Sequence, residues 1–146
     1  ALYEDLYREL GYIAGASPEE VDTTLLIHPD VLTDFSDYND FLDVADAAVE
    51  ELELEGLIQV ASFHPDYRFA GTEKNDIGNC TNRSPFPTLH LLREESIERA
   101  VAAIPDAADI YEKNIAVMNA LGRQGWEDLQ AMILAAGQPD GAAQKN

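Results

Sequence analysis

Two short segments of the sequence place a histidine and a carboxylate in the same order, His-Pro-Asp. Residues 28–30 follow the apolar run TTLLI, and residues 64–66 follow the apolar run LIQVASF. Neutral imidazoles and carboxylates bind zinc and other divalent metals, and a histidine can also act as a general acid or base near neutral pH. A neighbouring carboxylate can orient the imidazole. The pattern therefore predicts a catalytic or metal-binding site that contains His28, His64 and Asp66.

The other candidate residues lie in or just after an irregular segment, residues 65–87, which is rich in Pro, Gly and Asn. An irregular segment of that length in a compact domain often carries function. Arg83 can hold a carboxylate or phosphate through two parallel hydrogen bonds. Together with Asn82, Tyr67 and His90, it predicts a binding site for a small anionic molecule.

The elements that must position these residues follow from hydrophobic periodicity. Apolar residues at helical spacing predict helices over residues 1–13 and 34–54, and short β-rich runs predict strands over 23–27 and 57–63. A strand, a helix and a second strand in this order are typical of a βαβ unit with two parallel strands and a right-handed crossover. His28 and His64 would then leave the sheet at the same edge, where ligand sites of open α/β sheets form.

A third strand is predicted over residues 88–92. If it pairs antiparallel, it begins at the edge where the first two strands end, so that His90 could join His28 and His64 in a metal site for zinc or another divalent ion. Each histidine also has a structural alternative, because an imidazole at the end of a strand can simply bond a loop carbonyl.

Helices are expected over residues 93–104, 107–121 and 125–136, with Gly122 closing the second of them. The predicted fold class is α/β, with α+β as the alternative: a small mixed sheet, comprising the parallel βαβ unit and one antiparallel strand, with helices packed on it. Residues 1–136 are expected to form one domain, and 137–146 a flexible tail.

Aspartates occupy every third position along the second predicted helix, which suggests a metal array. A step of three residues drifts by about 60° around an α-helix, so these carboxylates spread over the polar side and do not converge. The first of them is expected to cap the helix and the others to face solvent. The series comprises Asp34, Asp37, Asp40, Asp43 and Asp46.

The composition restricts the partners. With 28 acidic and 9 basic residues the net charge is −19, which disfavours nucleic acid and anionic membrane surfaces. No apolar run reaches the length of about 18 residues that a membrane span needs. Cys80 is the only cysteine, so an internal disulfide is impossible and a cytoplasmic location is expected.

A second function is compatible with the same composition. The acidic face could bind a basic protein partner in a non-catalytic interaction module, the histidines then being structural. The paired His-Pro-Asp segments favour the ligand or metal site over this module, without deciding whether the protein is an enzyme.

Three long motifs carry a resemblance to a known family: LLIHPDVLTDFSDYNDFLDVAD, VASFHPDYRFAGT and TNRSPFPTLHLLREESIERAVAAIPD. They resemble the bacterial domain-of-unknown-function family 1415, and the similarity extends to about Trp126. The resemblance implies a soluble bacterial protein whose family has an amino-terminal Cys-Pro-Phe segment and a further strand, both expected to precede Ala1. It also implies a tyrosine where Cys80 stands. The characteristic positions fall on His28-Pro29, Tyr38-Asn39-Asp40, His64-Pro65-Asp66-Tyr67, Gly71-Thr72, Asn82-Arg83, Pro85, Pro87, His90 and Arg93.

Overall fold

A computed structural model describes residues 1–104, 106 and 108–137 of the chain. The helices are α1 (Leu2–Gly15), α2 (Phe35–Glu51), α3 (Glu94–Ala102) and α4 (Ala108–Ala136). The strands are β1 (Thr23–Ile27), β2 (Ile58–Phe63) and β3 (Thr88–Arg93), and a 3₁₀ helix covers Ile77–Asn82. Apart from Gly137, the predicted tail lies outside the described residues.

The three strands form one antiparallel sheet in the order β1-β3-β2. The mixed content of helix and strand agrees with the prediction, but the predicted parallel pairing of β1 with β2 is wrong, because β3 lies between them. Both outer strands are antiparallel to β3 and therefore run in the same direction without pairing. The segment between β2 and β3 returns the chain to the edge where β1 and β2 end, so that β3 can bond with both.

One face of the sheet carries the core. Leu89 and Leu91 of β3 are fully buried, and helices α1 and α2 cover them with the apolar stripes that the periodicity predicted. Tyr38 of α2 is also fully buried in this layer. The buried residues of the two helices are Leu6, Leu10 and Ile13 of α1, and Tyr38, Ala45, Ala48 and Val49 of α2.

Helix α2 begins as predicted, because the Asp34 carboxylate accepts hydrogen bonds from the amides of Ser36 at 2.8 Å and Asp37 at 3.2 Å. The remaining aspartates of the series are exposed: Asp37, Asp40, Asp43 and Asp46.

The carboxyl end of α2 comes earlier than predicted. Glu53 adopts a left-handed conformation with φ of 56°, and the Leu54 amide donates to the Val49 carbonyl at 2.9 Å. This is a Schellman-type end in which glutamate occupies the position that glycine usually takes. The helix therefore ends at Glu51, three residues before the predicted end at residue 54.

Helix α4 breaks at Gly122, where φ is 66° and ψ is 176°, as the sequence predicted for two successive helices. Its contacts are chiefly with the 3₁₀ helix. The second face of the sheet remains largely open, with 56% of the surface of both Leu25 and Ile27 exposed. No helix in the described part of the chain is long and apolar enough to cross a membrane.

Candidate functional site

His64 is fully buried at the end of β2, and both of its ring nitrogens have partners. Nδ1 accepts the Asp66 amide at 3.0 Å, so the proton lies on Nε2, which donates to the Leu32 carbonyl at 3.1 Å. The ring is therefore a neutral imidazole in one fixed tautomer. The Asp66 backbone, and not its exposed carboxylate, orients the ring, so neither nitrogen of His64 is free for a metal or a substrate.

His28 occupies the equivalent place at the end of β1. Its Nδ1 donates to the Val31 carbonyl at 2.7 Å, while its buried Nε2 has no partner among the described residues. The ring centroids of His28 and His64 lie 6.0 and 5.0 Å from that of Tyr38. The two His-Pro-Asp segments thus meet on one face of the sheet, and both imidazoles hold the loop that leads from β1 into α2.

The Tyr38 hydroxyl completes this arrangement. It accepts the Phe63 amide at 3.0 Å and donates to the Thr88 carbonyl at 2.8 Å, so it bridges β2 and β3 at their paired ends. Burial raises the pKa of Tyr38 well above its ordinary value. The phenol therefore stays protonated and keeps donating to the carbonyl.

His90 lies on the opposite face of the sheet from the other two histidines. It alternates with the buried residues Leu89 and Leu91 and bonds the Thr23 hydroxyl through Nε2. Burial lowers the pKa of the His90 imidazole. The three-histidine metal site does not assemble, since adjacent residues of a strand point to opposite faces. Nowhere in the described ranges do three His, Cys, Asp or Glu residues lie together in a group that could hold a metal.

Asn82 and Arg83 return to the end of β2, as expected, but their polar groups bond the backbone. The side-chain Nδ2 of Asn82 donates to the Ser62 carbonyl at 3.1 Å. The Arg83 guanidinium donates to the carbonyls of Tyr67 at 3.2 Å and Lys74 at 2.9 Å. Arg83 therefore ties the irregular segment together and is not an open anion anchor in this structure.

A buried amide that sequence reasoning missed organises the same segment. Asn79 is fully buried, and its Oδ1 accepts the Phe69 amide at 3.0 Å and the Thr72 hydroxyl at 2.9 Å. Its Nδ2 donates to the Glu73 carbonyl at 2.9 Å. The asparagine content of residues 65–87 was the available signal, because buried asparagine side chains commonly satisfy loop backbone groups.

An open cleft of about 420 Å³ lies between the first turn of α2 and the chain that follows Tyr67. We call it the Arg68 cleft. Arg68 is exposed, and its Nε donates to the Thr72 carbonyl at 2.7 Å, which fixes the guanidinium while leaving its two terminal amino groups without a partner among the described residues. The cleft is lined by Phe35, Ser36, Asn39, Arg68, Phe69, Ala70 and Gly71.

The two buried histidines lie behind this cleft and not in it. The Phe35 ring, which lines the cleft, has its centroid 5.3 Å from that of His64 and 5.4 Å from that of Tyr67. Sequence reasoning missed Arg68, although a signal existed: it is one of only nine basic residues in an acidic chain, and it directly follows the His-Pro-Asp-Tyr motif.

Comparisons with curated proteins and with solved structures find no match to this chain. A family model does match, over residues 1–128, and its description is "Protein of unknown function (DUF1415)". The match includes both His-Pro-Asp segments, the Arg68 cleft and all three strands, so the chain belongs to this family.

Proposed function

We propose that this protein binds a small organic anion in the Arg68 cleft. The observation that supports the proposal is the state of the Arg68 side chain, which is fixed by one backbone hydrogen bond and makes no ion pair within the described ranges. In a chain with 28 acidic residues, an arginine that pairs with none of those in the described ranges and opens onto a cleft is suited to an external carboxylate or phosphate.

The lining of the cleft indicates the rest of the ligand. Ser36 and Asn39 offer a hydroxyl and a side-chain amide that have no hydrogen-bond partner among the residues described. Phe35 and Phe69 supply apolar surface beside them. Ligand sites usually combine an apolar wall with a few polar groups that fix orientation. The expected ligand is therefore a small molecule with one oxyanion and an aromatic or aliphatic body.

In this proposal, His28 and His64 are positioning residues. Their hydrogen bonds to Val31 and Leu32 hold the loop that sets the start of α2, and the turn after His64 leads directly into Arg68. The proposal retains the small anionic ligand that the sequence predicted, but Arg68 takes the role that was predicted for Arg83.

The test is a titration of the isotopically labelled protein followed by amide chemical shifts. Benzoate and phenyl phosphate serve as probes that distinguish a carboxylate from a phosphate, and benzyl alcohol serves as the uncharged control. We expect saturable shifts of the amides of Ser36 and of residues 68–71 with at least one anion, and none with the alcohol.

The variant Arg68→Ala should weaken binding of the effective anion at least tenfold, since a charge-assisted bidentate contact contributes more than a neutral hydrogen bond. Arg68→Lys should restore it only in part, because a lysine lacks the planar fork. Arg99→Ala removes an exposed arginine of α3 and should leave binding unchanged. Equal affinity of Arg68→Ala and the unmodified protein would contradict the proposal, as would shifts that never saturate.

A further inference from the structure

The wall that α2 contributes to the Arg68 cleft already carries a negative charge. The Asp34 carboxylate accepts the amides of Ser36 at 2.8 Å and Asp37 at 3.2 Å, and Ser36 lines the cleft. Phosphate sites commonly use such amides at the start of a helix, but here the protein's own carboxylate occupies them. The positive end of a helix dipole is equivalent to about half an elementary charge, so the full charge of Asp34 leaves this end of α2 negative.

Arg68 supplies the positive charge of the cleft, and it is the only basic residue among those that line it. Its Nε donates to the Thr72 carbonyl at 2.7 Å, so the two terminal amino groups remain as donors for a ligand. Two such donors match the two oxygens of one carboxylate. A phosphate monoester carries about two negative charges at neutral pH, and the single guanidinium balances only one of them.

Further carboxylates lie beside the cleft. Each of the three α2 residues that line it has an exposed aspartate next to it in sequence: Asp34, Asp37 and Asp40. Adjacent residues lie within a Debye length, about 10 Å at 0.1 M salt, so these charges act on a bound ligand. A second negative charge on the ligand is repelled by them and gains no further ion pair with the lining.

We infer that the Arg68 cleft selects carboxylates over phosphate monoesters, and that Asp34 sets this preference. The inference rests on the proposed function and deepens it, because it chooses between the two oxyanions that Arg68 can bind. Selection is by charge: the cleft takes a ligand with one negative charge and rejects a dianion. Asp34 acts on the ligand through its charge and through the helix amides that it occupies.

The experiment compares the dissociation constants of three probes by amide chemical shifts at low salt. Benzoate and benzenesulfonate each carry one negative charge, and the second has a tetrahedral head like that of a phosphate. At about pH 7.5 phenyl phosphate is a dianion, since the second pKa of a phosphate monoester is about 6. We expect benzoate and benzenesulfonate to bind with similar affinity and phenyl phosphate to bind at least fivefold more weakly. At about pH 5, where phenyl phosphate carries one charge, this difference should disappear.

Two variants assign the preference to Asp34. Asp34→Asn keeps a good helix cap and removes the charge, so it should reduce the preference for benzoate over phenyl phosphate at least threefold, chiefly by tightening the phosphate. Asp46→Asn makes the same change at an exposed aspartate about 18 Å further along α2, at 1.5 Å per residue, and should leave the preference unchanged. Asp34→Ser, which also caps a helix, repeats the test with a second neutral side chain.

The outcomes separate this inference from the proposed function. If phenyl phosphate binds as tightly as benzoate at about pH 7.5, the inference is overturned, while the proposed function stands because an anion still binds. An equal change of preference in Asp34→Asn and Asp46→Asn would overturn the role of Asp34, since the net charge of the chain would then be the cause. If no anion binds, the proposed function fails and the inference fails with it.

Discussion

Replacement of His64 by alanine tests whether the His-Pro-Asp segments hold the fold together. The imidazole is fully buried, and its bonds to the Asp66 amide and the Leu32 carbonyl are 3.0 and 3.1 Å long. Alanine leaves both backbone groups without a partner, and each unsatisfied, part-buried group lowers the stability by about 1–2 kcal/mol. It also opens a cavity against the rings of Phe35 and Tyr38, so the expected total loss is about 3–5 kcal/mol.

A loss of that size is a large part of the stability of a typical domain, about 5–15 kcal/mol. Two conservative variants separate the contributions of the two hydrogen bonds to this loss. In His64→Asn the side-chain oxygen can still accept the Asp66 amide, and in His64→Gln the side-chain amide can still reach the Leu32 carbonyl. Each should cost about half as much as alanine, since one buried hydrogen bond is kept.

The measurement is urea unfolding followed by far-ultraviolet circular dichroism, with Asp66→Ala as the matched control. The Asp66 carboxylate is exposed and makes no hydrogen bond within the described ranges, so its removal should change the free energy of unfolding by less than about 0.5 kcal/mol. If the free energy of unfolding of His64→Ala lies within about 1 kcal/mol of that of the unmodified protein, the two bonds contribute far less than buried hydrogen bonds usually do, and the reasoning fails. Should alanine prevent folding, the asparagine and glutamine variants still decide the question.

Two further predictions concern the helix end and the pH dependence of stability. Glu53→Gly should raise the free energy of unfolding by about 1 kcal/mol, because glycine adopts the left-handed conformation without a Cβ penalty. An equal gain in Glu53→Ala would show that charge, not backbone conformation, is the cause. Burial lowers the pKa of His90 below its ordinary 6.5, so the unfolded chain binds a proton first and stability decreases as the pH falls below about 6.5. His90→Gln should make this decrease shallower in urea unfolding at successive pH values, and an unchanged slope would refute the assignment.

Local periodicity was sufficient to predict most of the elements. The strand predicted over residues 23–27 is β1 with the same bounds, and the break at Gly122 lies where it was expected. Helix caps are equally local, and Asp34 caps α2 as its position indicated. These features depend on residues within a few positions of one another, so the sequence carries their signal directly.

The pairing of the strands was decided by tertiary structure. A strand, helix and strand in succession permit either a parallel pair or two strands separated by a third, and the local pattern is the same in both. The irregular segment after His64, fastened by Asn79 and Arg83, brings β3 back between the other two. Contacts between residues distant in sequence decide this choice, and periodicity does not report them.

The same distinction applies to the candidate site. The sequence by itself predicted that His28 and His64 end two strands that run in the same direction, although the parallel pairing from which this was inferred is wrong. The structure brings both rings to Tyr38. Strand register decides which face of the sheet His90 occupies. The carbonyls within reach decide which arginine keeps unused donors. A side chain is available to a ligand only when the folded backbone leaves its donors unused, so only the tertiary structure distinguished Arg68 from Arg83.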